Sequence, residues 1–195
     1  LRVVLVANEY FHLAQIDVFG KPSTSDLVEL GILAADMNSL QGDQYSKYCY
    51  DGDVSTYCQT QEASAVSDNW IQVALGQAYS VAVVRIQNIW NADYSLRLGN
   101  YDVYIGDNAS QPEYWCFSGS VGSDSKSALG PFVADCTGYG RYVRIVQVTG
   151  SNTPTHMNLA EVQVYGYPPA PDMTEMKILA ADMNSLQGDQ YSKYC

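Results

Sequence analysis

Basic residues are scarce in this sequence: Lys and Arg number 10 against 21 Asp and Glu, for a formal net charge of −11. Nucleic acids and anionic lipid surfaces are bound through clustered Lys and Arg, and those present form no run, so the composition speaks against both partners. Long apolar runs are missing as well. No stretch approaches the roughly 18 apolar residues that a membrane span needs. The apolar opening at residues 1–7 is short, lacks a charged leader and reads as a strand rather than a signal segment. Histidine occurs only as His12 and His156, and no phosphate loop, nucleophile elbow or pair of flanking catalytic carboxylates accompanies either. That leaves an enzyme without its acid, base or nucleophile, and a non-catalytic binding role is expected.

What is abundant is aromatic and aliphatic. Tyr occurs 16 times, and 47% of residues are hydrophobic against 16% charged, which is the balance of a folded globular chain. An internal repeat organises it. Residues 32–49 recur without a change as residues 178–195. At the same offset Val18-Phe19-Gly20-Lys21-Pro22 faces Val164-Tyr165-Gly166-Tyr167-Pro168, and His12-Leu13-Ala14-Gln15-Ile16 faces Asn158-Leu159-Ala160-Glu161-Val162. The expected organisation is a tandem array: residues 1–22 close one repeat, residues 23–168 form a complete one, and residues 169–195 open a third. Pro- and Ser-rich borders mark the joints, and adjacent repeats of the same chain are expected partners.

Within the complete unit, residues 69–76, 80–88, 100–106, 141–148 and 159–166 read as short strands rich in Val, Ile and Tyr, bounded by Gly, Asn or Asp. Tyr101, Val103 and Ile105 alternate with Asp102 and Tyr104, the period of a half-buried strand. Residues 26–36 carry only a weak helical pattern. The unit is therefore expected to be all-β, a sandwich or barrel.

There are five Cys. Cys195 repeats Cys49, which leaves Cys49, Cys58, Cys116 and Cys136 for the complete unit and three possible pairings. Local closure favours Cys49–Cys58 and Cys116–Cys136, each bridge adding about 2–4 kcal/mol by restricting the unfolded chain. No C-x-x-C pair or neighbouring His supports a metal site on sulfur. Disulfides imply an oxidising, extracellular setting, and Asn108-Ala109-Ser110 is an N-glycosylation sequon.

Ordered motifs span the unit: Tyr50-Asp51-Gly52-Asp53, Cys58-Gln59-Thr60-Gln61, Trp70-Ile71-Gln72-Val73-Ala74-Leu75-Gly76, Arg97-Leu98-Gly99-Asn100-Tyr101-Asp102-Val103-Tyr104-Ile105-Gly106, Gly140-Arg141-Tyr142-Val143-Arg144-Ile145 and Leu159-Ala160-Glu161-Val162-Gln163-Val164-Tyr165-Gly166. In this order they resemble the discoidin and coagulation-factor C-type domains of the galactose-binding-like superfamily, and more closely the F-type lectins (fucolectins). The resemblance implies an eight-stranded jelly-roll β-sandwich that holds ligands on loops at one end. It also implies a structural Ca2+, carried onto the carboxylates of Asp51, Asp53 and Glu161 and the backbone carbonyls of Tyr48, Tyr57 and Ala160. Hard cations take such oxygen sets. Where the family often has a Cys partnered to the Cys58 position, this sequence has Ala160, in keeping with a Cys49–Cys58 bridge.

The family's fucose site uses a His and two basic residues. Its His slot falls on Gln59 or Thr60, the first Arg slot on Ile89 or Trp90, the orienting acid on Asn91 or Asp93, and the last basic residue on Arg97. The expected ligands are glycans or glycoproteins, fucose or another terminal sugar, contacted by Gln59, Thr60, Trp90, Asn91, Asp93 and Arg97. A discoidin-like adhesive module that binds a protein without sugar is the alternative.

Overall fold

The protein is described from a computed structural model, which covers residues 27–62, 69–91, 94–122, 127–148 and 156–168. All of them belong to one compact unit, Pro22–Pro169. The expected flanking fragments, residues 1–22 and 169–195, lie outside the described residues.

The described residues form nine strands: β1 (Val28–Leu30), β2 (Ala34–Met37), β3 (Cys58–Gln59), β4 (Trp70–Gln87), β5 (Asn100–Gly106), β6 (Tyr114–Ser120), β7 (Phe132–Gln147), β8 (Asn158–Leu159) and β9 (Glu161–Tyr167). Their order is β1-β9-β4-β7-β5-β6, with β2 also on β4, and β3 pairs separately with β8. β4 and β7 run through both layers of a sandwich. The first part of β4, Trp70 to Ala74, pairs with β7 from Val146 to Tyr142 and with β2. Its second part, Tyr79 to Ile86, pairs with β7 from Gly140 to Phe132 and with β9. Between Ala74 and Tyr79 the register shifts, and Gly76 sits there at φ 80°, a backbone conformation that glycine adopts without steric cost.

The sheet bends at that point instead of ending, which is why two short strands expected on either side of Gly76 form a single one of 18 residues. β1, β2 and β6 had no clear sequence signal. The stretch with weak helical pattern contributes β1 and the start of β2, because pairing with β9 and with β4 outweighs a weak local propensity. The all-β sandwich follows the sequence expectation, while the strand division differs from the simple count of eight.

Alternation places the core. Tyr101, Val103 and Ile105 of β5 are buried, as are Ile71, Val73 and Leu75 of β4, Val143 and Ile145 of β7, and Val162 and Val164 of β9. These side chains join one cluster with Val81, Val84, Ile86, Leu98 and Leu159. Cys116–Cys136 ties β6 to β7 with Cα atoms 5.0 Å apart, and Cys49–Cys58 ties a 3₁₀ turn (Ser46–Cys49) to β3 with Cα atoms 5.3 Å apart. Both are the local pairings.

Where β7 crosses between the layers, Gly140 lies against the end of β5. A Cβ there would stand 2.5 Å from the carbonyl carbon of Gly106, and a strand backbone cannot give way as a side chain tip does. Gly140→Ala is expected to lower stability by about 1–3 kcal/mol, seen as a lower urea midpoint with an unchanged slope. An unchanged midpoint would show that the two strands are not so closely apposed.

Candidate functional site

The pairing of β3 with β8 assembles the candidate site from remote parts of the chain. Cys58 faces Leu159 and Gln59 faces Asn158. Thr60 continues the contact: its backbone N–H donates to the Met157 carbonyl at 2.9 Å, and its hydroxyl accepts from the Met157 N–H at 2.9 Å. Thr60 is fully buried. The structure thus uses this residue to clamp the two chain segments and leaves no hydroxyl facing solvent.

On one flank of this pairing lies the acidic loop. The Glu161 carboxylate accepts from the Gly52 N–H at 2.6 Å, closing residues 109 apart in sequence. Asp51 accepts from the Asp53 N–H at 2.9 Å and from the Thr56 hydroxyl at 2.8 Å. Burial raises the Glu161 carboxyl to about 7; the hydrogen bond and the charge of neighbouring Asp51 add to the rise, and the N–H groups of Gly52 and Asp53 oppose it. Asp53 points elsewhere. Its Oδ1 accepts from the N–H and hydroxyl of Ser55, at 2.9 and 2.6 Å, and these bonds lower its pKa.

Of the three expected carboxylate ligands, then, Asp51 and Glu161 come together and Asp53 turns away to cap its own turn. Among the described residues no group of three His, Cys, Asp or Glu side chains is gathered in metal-binding geometry. Ala160 is buried beside Glu161, and Tyr48 and Tyr57 line an open depression of about 350 Å³ with Asp43, Gln44, Ser55 and Thr56. The apposed carboxylates of Asp51 and Glu161 offer oxygen ligands of the kind an oxygen-seeking divalent cation takes. The set fits Ca2+ if backbone carbonyls complete it in place of the third carboxylate.

On the other flank lie the polar and aromatic groups. Arg97 lies in a 3₁₀ turn (Ser95–Leu98). Its guanidinium lies 3.9 Å from the Tyr94 ring centroid and donates to Gln59 Oε1 at 3.5 Å, the outer limit of a hydrogen bond. Trp90 is 74% exposed on the same loop. Asn91 is exposed, and its carbonyl accepts from the N–H groups of Tyr94 and Ser95 at 3.1 and 2.8 Å, starting the turn that carries Arg97. Asp93 lies outside the described residues. Gln59 and Arg97 are brought into contact; Trp90 and Asn91 share their loop.

Four buried amides escape any reading of the sequence. Asn88 donates to the carbonyls of Ser95 and Ala128 at 2.5 and 2.6 Å, fixing the Trp90 loop. Gln147 donates to the carbonyls of Arg97 and His156 and accepts from Asn69 at 3.1 Å. It thereby ties the Arg97 turn to the approach of β8. The fourth, Asn158, is fully buried, and neither its Oδ1 nor its Nδ2 has a partner. A polar residue at the end of an apolar strand is the only sequence signal they give.

A family model for the NedA-like, galactose-binding domain of the F5/F8 type C group matches residues 48–145, half of the chain. The chain belongs to this galactose-binding domain family. Solved structures of similar fold include carbohydrate-binding modules and lectins. They include the CBM32 of AlyQ in complex with 4,5-unsaturated mannuronic acid, at 18% identity and TM-score 0.55, covering 70% of this chain and 97% of that one. A fucolectin from striped bass (Morone saxatilis) serum aligns at 23% identity and TM-score 0.57, over 68% of this chain and 45% of the other. A fucose binding module from Streptococcus pneumoniae aligns at 24% identity and TM-score 0.53, over 69% and 94%. No curated protein matches by sequence. Among the described residues no helix is long and apolar enough to cross a membrane.

The raised Glu161 carboxyl of the galactose-binding domain sets a pH dependence. In metal-free protein the folded chain keeps this proton to about pH 7, whereas the ordinary carboxyl value is 4.5. Between those values the folded state binds more protons than the unfolded one, so stability falls as pH rises through the window and is level above it. Melting temperatures of the protein and of Glu161→Gln, measured in chelator from pH 4 to 8, should converge at the acid end and separate towards neutral pH, the variant being the more stable. A difference that stays constant with pH would remove Glu161 from this environment.

Proposed function

We propose that this domain is an extracellular, calcium-stabilised carbohydrate-binding module that takes a terminal sugar, fucose or a related residue, on the loops carrying Gln59, Trp90, Asn91 and Arg97. The observation that carries the reading is the contact of Arg97 with Gln59 and with the Tyr94 face, on an end of the sandwich built around buried amides. Amide and guanidinium groups hydrogen-bond sugar hydroxyls, while exposed aromatic rings such as Trp90 offer the apolar face on which a pyranose packs. The neighbours that bind mannuronic acid and fucose share the fold and make a sugar the favoured ligand class.

In this reading Ca2+ is held by Asp51 and Glu161 with the carbonyls of Tyr48, Tyr57 and Ala160. The ion neutralises two apposed carboxylates and braces the Asp51 loop against β9. Its role is structural, and it supplies no Lewis acidity to a reaction. The local disulfides, with Asn108 exposed in its sequon, agree with secretion. Repeats in tandem would raise avidity for clustered glycans.

Two measurements test the proposal. Added Ca2+ at about a hundred times its Kd should stabilise the fold by about 2.7 kcal/mol, and chelator or Asp51→Asn should abolish that gain. On a glycan array the chain should bind a discrete set of terminal sugars, and Arg97→Ala should weaken binding by about tenfold or more without a change in melting temperature. Folded protein that binds no glycan, yet adheres to a protein partner in the presence of competing sugar, would replace this function with the adhesive one.

A further inference from the structure

Asn158 is held in a way that a merely structural amide is not. Asn69, Asn88 and Gln147, equally buried nearby, all have their amides engaged. Among the described residues Asn158 alone has both amide atoms shielded and unpartnered. A buried polar group without a partner is costly, and an apolar residue of similar shape avoids that cost. Its backbone is held on both sides: Met157 is fixed to Thr60, and Ala160 donates its N–H to the Gln87 carbonyl at 2.9 Å. An amide retained unsatisfied on a rigid backbone is prepared for something that arrives later.

The register says where. Asn158 is the direct antiparallel partner of Gln59, and such partners project to the same face with Cβ atoms about 4.5–5.5 Å apart. Gln59 is in turn the residue that Arg97 touches. The open amide therefore stands beside the Gln59–Arg97 pair. That pair is a weak barrier: the contact is long at 3.5 Å, and Gln59 keeps a small exposed fraction. A ligand hydroxyl that replaces Arg97 on Gln59, or draws Gln59 aside, gains Asn158 next.

We propose that Asn158 is a specificity-determining residue of the sugar subsite, with its Nδ2 donating to one ligand hydroxyl oxygen and its Oδ1 accepting from a ligand hydroxyl. The inference rests on the carbohydrate-binding reading and adds a chemical constraint to it. Oδ1 has to be met by a donor, which hydroxyls supply and an ionised carboxylate cannot. Adjacent hydroxyls of a neutral pyranose satisfy both atoms; a uronate carboxylate at this position leaves Oδ1 facing another acceptor. The subsite therefore selects a neutral hydroxylated face.

The test compares the full chain with Asn158→Leu and Asn158→Asp, using titration with fucose, galactose, galacturonate and mannuronate, together with thermal melts. The wild-type chain should bind a neutral sugar in preference to both uronates. Asn158→Leu should lose that binding by about tenfold or more while melting at the same temperature or higher. Asn158→Asp keeps the shape, lacks the Nδ2 donor, and should lose binding as well. Wild-type affinity in Asn158→Leu, or a melting temperature several degrees lower, would overturn the proposal, the second because the amide then serves the fold. A wild-type preference for uronates would overturn it too. If the wild-type chain binds no sugar at all, the carbohydrate reading falls and this inference with it; if it binds and both variants bind equally, only the role of Asn158 falls.

Discussion

Two residue pairs, Cys58 with Leu159 and Gln59 with Asn158, join segments separated by about a hundred positions, and both flanks of the candidate site hang on that small antiparallel contact. Two pairs of backbone contacts are weak alone. Here they are reinforced by the Thr60–Met157 hydrogen bonds and by the bridge from Cys58 back to Cys49, which limits the freedom of the loop between them. With the contact made, Glu161 reaches Gly52 and Asp51 on one side, and Asn158 stands by Gln59 and Arg97 on the other. The acidic loop and the polar cluster are consequently coupled through one piece of backbone. A cation that tightened the Asp51 loop would also steady Gln59.

The electrostatics of the two flanks are opposite in character. Asp51 and Glu161 are like charges drawn together, and burial, with a smaller contribution from Asp51, keeps a proton on Glu161 at acid pH. A divalent ion in the proposed site would substitute for that proton at neutral pH. Among the described residues the partners of Arg97 are neutral, the Gln59 amide and the Tyr94 ring. Buried amides do the remaining work of positioning. Gln147 and Asn88 lock the turn of Arg97 and the loop of Trp90 to strand ends, so that a surface formed by loops inherits the rigidity of the sandwich.

Much of this was legible in the chain. The alternation of Tyr101, Val103 and Ile105 located β5, and local closure chose the two disulfides from three pairings. The order of motifs pointed to the galactose-binding family. The register shift at Gly76 was not legible, because a glycine between two apolar segments reads as a turn unless the partner strand is known to continue. Asp53 shows the same difficulty at the scale of a side chain. Asp-Gly-Asp offers two carboxylates, and only the Ser55 hydrogen bonds decide that the second faces away. Thr60 and Gln59 are adjacent and looked equivalent as candidates; the strand pairing buries one in a clamp and leaves the other against Arg97.

By itself the sequence determined the class of fold, its covalent cross-links and its family, since alternation, cysteine spacing and ordered motifs are properties of residues near one another along the chain. Tertiary structure alone decided which polar groups meet. The apposition of Glu161 with Asp51, the contact of Arg97 with Gln59 and the unsatisfied amide of Asn158 arise from pairing across long sequence separations. There the outcome depends on register and burial, and neither is written in any local pattern.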